Sequence, residues 1–150
     1  MKVWASLYGF FWTAVLQVLL GVTVAVGPGP SSPLAYVHGA LGAVVAGWAF
    51  YNFRAVRATR APGRTKRTVA ATLAIAVLMV PLGLLLGFGV GGGALVLGVP
   101  LDEAIGFVHL LFGLAIATQA ASTATGFDMW EEREFERETE PGVVPAPGRP

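Results

Sequence analysis

Cysteine is absent from all 150 residues, which excludes disulfides, iron–sulfur clusters, thiolate metal ligands and thioether attachment of a cofactor. Charge is scarce as well. Only 13% of the residues are Asp, Glu, Lys or Arg and 55% are hydrophobic, whereas a soluble domain carries about 25% charged residues. A chain this oily lacks the polar faces that enclose a core in water, so membrane lipid is its expected surroundings. The net charge is +1, which excludes a dedicated phosphate-backbone binder, and no nucleic-acid partner is expected. Histidine is scarce too: His38 and His109 are the only two.

What is present is a series of apolar runs. Val3–Val26 is long enough to cross a hydrocarbon core of about 30 Å at about 1.5 Å per residue. It lacks the strongly basic start of a signal peptide, and Gly27-Pro28-Gly29-Pro30 reads as a turn and not as a cleavage site, so a retained helix is expected. Ser31 and Ser32 stand ready to cap a second helix over 34–53. Arg54, Arg57, Arg60, Arg64, Lys66 and Arg67 follow, in what reads as a basic loop. The positive-inside rule places that loop, and with it both termini, in the cytoplasm. Trp4, Tyr8, Trp12, Trp48, Tyr51 and Trp130 then form an aromatic belt on the same side.

A third helix is expected over 69–90, kinked at Pro81. The glycine-rich stretch 91–100 reads as an outer loop against the bundle mouth. A fourth helix over 102–127 begins with Asp102 and Glu103, which suit the positive end of its dipole. These runs predict an all-α fold: a four-helix transmembrane bundle over residues 1–130 in the plasma membrane, N-in and C-in. Residues 131–150 form a charged, then Pro/Gly-rich cytoplasmic tail.

The runs also look duplicated. Gln17, Gly21 and Gly27 match Met79, Gly83 and Gly89, while His38, Gly42, Ala46 and Ala49 match His109, Gly113, Ala117 and Ala120 at one constant offset. A duplicated helical hairpin puts the second and fourth helices parallel, with their histidines at one depth in the outer part of the membrane. Helices packed in sequence order would make those two diagonal partners.

An ionisable side chain in hydrocarbon is expensive unless paired or ligated, so two at matched positions suggest a shared ligand. The alternative is two neutral imidazoles that only pack. The ligand reading assigns His38 and His109 to one haem iron, each with a glycine four residues later, Gly42 and Gly113, leaving bare backbone for a flat group. A structural zinc site wants four ligands, and only Asp102 and Glu103 stand near in sequence. Gln17 could serve a haem edge or a quinone, with an interhelical hydrogen bond as its ordinary use. Tyr36 is either an interfacial anchor or a lid over the cofactor. Gly39, Ala43 and Gly47 form a small-residue stripe of the kind that marks close helix packing. Thr118, Gln119, Ser122, Thr123 and Thr125 make the far end of the fourth helix polar, with packing as the ordinary use and a polar pocket or partner surface as the alternative.

The pattern of Gln17, Gly21, a Gly/Pro turn and His38, followed by Gly83 and His109, resembles one four-helix half of heme A synthase and small four-helix cytochrome b-like membrane proteins. The resemblance covers roughly 10–125. It implies an antiparallel bundle with b-type haem held by histidines of the second and fourth helices near the outer face, which carries over to His38 and His109. The synthase pattern also has a glutamate three residues before a histidine and an arginine just after it. Ala35 and Gly39, and Gly106 and Leu110, occupy those places here. The predicted outer loops contain no Lys or Arg to meet haem propionates.

The leading expectation is therefore a cytochrome b-like protein with one haem b, serving electron transfer to a redox partner or a respiratory complex, alone or as a homo-oligomer. A haem-modifying enzyme like the synthase, and a cofactor-free accessory subunit, are the alternatives.

Overall fold

The computed structural model describes residues 2–27 and 29–139. Pro28 of the first turn and the Pro/Gly-rich end of the tail lie outside the described residues. Four helices carry the fold: α1 (Val3–Val26), α2 (Pro33–Arg57), α3 (Gly63–Gly87) and α4 (Leu101–Thr139). Each is long and apolar enough to cross a membrane. A two-residue hairpin, β1 (Leu95–Val96) and β2 (Val99–Pro100), joins α3 to α4.

Every connection is short, so consecutive helices are antiparallel. Close backbone approaches occur between α1 and α2, α2 and α3, α3 and α4, and α4 and α1, and among the described residues neither diagonal pair makes one. The helices thus follow one another around a square, with α2 diagonal to α4. One end of the square holds the start of α1, the α2–α3 turn and the far part of α4. We call this the terminal end, and the opposite one the hairpin end.

Local chemistry fixes the ends. The Ser32 hydroxyl accepts from the Ala35 amide and donates to the Gly29 carbonyl, with Pro33 opening α2 where a missing N–H does no harm. The Lys66 amide donates to the Pro62 carbonyl, which starts α3 earlier than the hydrophobic run suggests. Arg54 and Arg57 accordingly lie in the last turn of α2, and Arg64, Lys66 and Arg67 in the first turns of α3. Of the six, only Arg60 sits in a loop. Apolar runs understate these helices because Arg and Lys stems continue a helix while their heads reach polar surroundings.

The stretch 91–100 is turns and hairpin, as its glycines suggest, with positive φ at both Leu97 and Gly98 in the two-residue turn. The Leu101 amide donates to the Ala94 carbonyl and ties the hairpin to the start of α4. α4 itself overruns its expected end. The residues Glu131–Arg137, taken from sequence as an extended tail, continue the helix, because Glu and Arg are good helix formers and Arg137 pairs with Glu134 one turn back.

Packing is uneven along the square. Phe10, Ala14, Val45, Ala49, Ala76, Ile116 and Ala120 form one buried cluster, and Leu7, Val56, Ala61, Val69, Ala124 and Phe127 another. Both lie in the terminal half. Among the described residues of 15–44 and 77–115, Ser32 alone is buried. Trp48 is not a belt residue but turns inward, its Nε1 donating to the buried Ser6 hydroxyl at 2.9 Å.

Candidate functional site

His38 stands in the second turn of α2 and His109 in the third turn of α4, both near the hairpin end. Those helices are diagonal, so neither ring can reach the other unless both point to the middle of the square. They do: the ring centres are 6.1 Å apart and the ring planes are inclined at 62°. Each ring is half-buried. The Nδ1 atom of each is buried without a hydrogen-bond partner.

Each imidazole rests on a glycine of the preceding helix in the chain. A β-carbon at Gly21 would come within 2.9 Å of His38 Cε1, and one at Gly83 within 3.3 Å of His109 Cε1. A side chain at 21 would force the His38 ring to move, and one at 83 would make the His109 ring give slightly. Gly42 and Gly113 have another use than the one expected. The space over Gly42 is taken by the Gln17 amide, 3.1 Å from where a β-carbon would be, and that over Gly113 by Val18 and Met79. The reason is directional: helical side chains lean toward the N-terminus of their helix, so an imidazole at 38 covers the turn before it and not the glycine four residues on.

Gln17 makes the interhelical bond, donating Nε2–H to the His38 carbonyl at 2.8 Å, while its Oε1 is buried and unpaired. Three buried polar atoms without partners, Gln17 Oε1 and the two Nδ1, are therefore found at the hairpin end of the bundle. Tyr36 is 71% exposed and does not cover the rings. Gly39 and Gly47 face open space, with no atom within 4 Å of an added β-carbon, so the small-residue stripe packs against nothing within the chain.

The geometry can be tested against a metal held between the rings. Two nitrogens on opposite sides of one ion, each about 2 Å from it and about 1 Å from its own ring centre, put the ring centres about 6 Å apart. The observed ring centres stand 6.1 Å apart, close to that spacing, and the rings meet edge to face at 62°. Among the described residues no group of three or more His, Cys, Asp or Glu side chains gathers to hold an ion. Two imidazoles alone would leave an ion short of ligands, and it would need the others from elsewhere, as a macrocycle supplies them in haem. Comparison with protein-family models, curated proteins and solved structures finds no match.

A second polar group lies at the terminal end, where the sequence marked Gln119 and Thr123 on α4 but not their partners on the other helices. Ser6 Oγ donates to Asn52 Oδ1 at 2.6 Å and accepts from Trp48, and Thr72 Oγ1 lies 2.9 Å from Gln119 Oε1. Ser6, Asn52, Thr72 and Thr123 are all buried. The signal available was their type: four hydroxyl or amide residues inside otherwise apolar spans.

Proposed function

We propose that the chain is a cytochrome b-like protein of the plasma membrane that holds one haem b between His38 and His109. The observation that carries this reading is the meeting of two imidazoles from diagonal helices, 6.1 Å apart, with both Nδ1 atoms buried and unpaired. An unpaired buried polar group costs about 1–3 kcal/mol. Two such groups on neighbouring rings favour a shared ligand over packing alone. The scarcity of buried side chains at the hairpin end supports it further, since that half of the square is not closed by a protein core.

Bound haem iron supplies one-electron redox chemistry. The protein's part is to present two imidazoles, hold them apart on Gly21 and Gly83, and keep their surroundings apolar. Gln17 anchors the α2 backbone at His38 itself. The electron would pass to a redox partner at the outer face or in a respiratory complex.

The same reading includes a duplicated hairpin with both termini in the cytoplasm. Its support is that contacts repeat at fixed shifts: Gly21 with His38 and Gly83 with His109, Gly42 with Gln17 and Gly113 with Met79. The basic residues at the α2–α3 turn favour the cytoplasm for the terminal end.

Visible absorption of the detergent-purified protein from haem-replete cells tests the proposal. Low-spin haem b bands in the wild type, lost in both His38→Ala and His109→Ala, are expected. A colourless wild type, or bands indifferent to either substitution, would refute it.

A further inference from the structure

The cations around the α2–α3 turn have no use in the haem reading. Arg54 and Arg57 end α2, Arg60 sits in the turn, and Arg64, Lys66 and Arg67 begin α3. Every arginine of this set is exposed, and among the described residues no carboxylate pairs with any of the six. Lys66 is engaged within the chain, its Nζ donating to the Thr59 carbonyl at 2.7 Å. The Thr59 hydroxyl in turn donates to the Val56 carbonyl and accepts from the Ala61 amide, so the turn that carries the arginines has a fixed shape.

The chain's own carboxylates stand elsewhere. Val56, Ala61 and Val69 are buried in one cluster with Ala124 and Phe127, so the turn closes level with Phe127 on α4. Asp128 is reached by the Tyr8 hydroxyl of α1, at 3.5 Å. Glu131 lies about 6 Å and Arg137 about 15 Å beyond Phe127 along the helix. The acidic run thus projects past the bundle, while the arginines border the ends of two helices long and apolar enough to cross a membrane.

The type of cation narrows the partner. Charge bias across a membrane counts Lys and Arg alike, yet five of the six are Arg. Guanidinium is the cation whose planar fork holds a phosphate through two parallel N–H···O bonds. Clusters of about four to eight basic residues beside a span are read as sites for anionic lipid.

We infer that the exposed face of the α2–α3 turn binds the phosphate of an anionic phospholipid, held by Arg57, Arg60, Arg64 and Arg67. The occupant is a lipid because the arginines stand where the spans leave hydrocarbon, and headgroups are concentrated there. An anionic headgroup is preferred to phosphatidylcholine, whose choline cation the cluster repels. The fixed turn leaves little ordering to be done on binding. The inference rests on the helices crossing a membrane and owes nothing to haem, so its failure would leave the histidine proposal untouched.

The test is native mass spectrometry of the full chain in detergent micelles, titrated with phosphatidylglycerol or phosphatidylcholine of identical acyl chains. At about fivefold per engaged cation, phosphatidylglycerol is expected to bind the wild type at least about tenfold more tightly. The preference should be lost in the combined variant Arg60→Gln, Arg64→Gln and Arg67→Gln. It should survive in Arg133→Gln with Arg137→Gln, which removes cations from the projecting part of α4. Equal binding of the two lipids by the wild type would overturn the inference without recourse to any variant. So would a preference that persists in the triple variant, an equal loss in the α4 variant, or displacement of the lipid by inorganic phosphate at matched concentration, which would mark a site for a free anion.

Discussion

The imidazole of His38 lies on Gly21 so closely that a β-carbon there would stand 2.9 Å from its Cε1. The contact sets where the ring is and therefore where its partner His109 finds it. A ring tip can swing aside more readily than a backbone can move. Gly21→Ala should accordingly re-aim the imidazole and leave the bundle folded. On the proposed haem reading, we expect roughly tenfold weaker haem binding (about 1.4 kcal/mol) with little change in melting temperature, followed by haem titration and by thermal unfolding in detergent. Gly83→Ala, where the approach is 3.3 Å, should act in the same direction and less.

Gln17 contributes one interhelical hydrogen bond to the His38 carbonyl. Such bonds in membranes average about 0.6 kcal/mol, and Gln17 also brings an unpaired buried oxygen. Gln17→Met, which copies Met79 at the matching place, should change stability by less than about 1 kcal/mol. Unfolding in mixed detergent micelles is the measurement, and a loss well above that would mean that Gln17 has a further partner.

Ser6 is a different case, because its hydroxyl is shared by Trp48 and Asn52. Ser6→Ala strands an indole N–H and an amide oxygen at once, each costing about 1–3 kcal/mol when buried. We expect a destabilisation clearly larger than that of Gln17→Met, read in the same assay, together with a shift in tryptophan fluorescence.

Three glycines of α2 should separate by the face on which they lie. Gly42→Ala drives a methyl to 3.1 Å from the Gln17 amide, whereas Gly39→Ala and Gly47→Ala meet nothing within 4 Å. The two open sites should be neutral or gain up to about 1 kcal/mol from reduced backbone freedom. Gly42→Ala should lose stability, and equal behaviour at all three positions would contradict the packing described.

Much of this arrangement was legible in the order of residues. Composition announced the spans, Ser32 its cap, and the matched spacing of the histidines their meeting, because periodicity and spacing are one-dimensional signals. The partners of Gly21 and Gly83 were not legible, since they depend on the rotation of one helix against another. Gly42 and Gly113 were misjudged for a related reason: spacing along a helix says which residues share a face, while the lean of the side chain says which of them it covers. The length of α4 was hidden by composition, as the charged run Glu131 to Arg137 reads as a solvated tail although it continues the helix.

That length has a mechanical outcome. α4 runs unbroken for 39 residues, about 58 Å, nearly twice the thickness of a hydrocarbon core. His109 and Arg137 ride on one rod, about 42 Å apart. A tilt of a few degrees that barely alters the gap between the imidazoles sweeps the distal tip through several ångström, so whatever grips that tip has leverage over the ring pair.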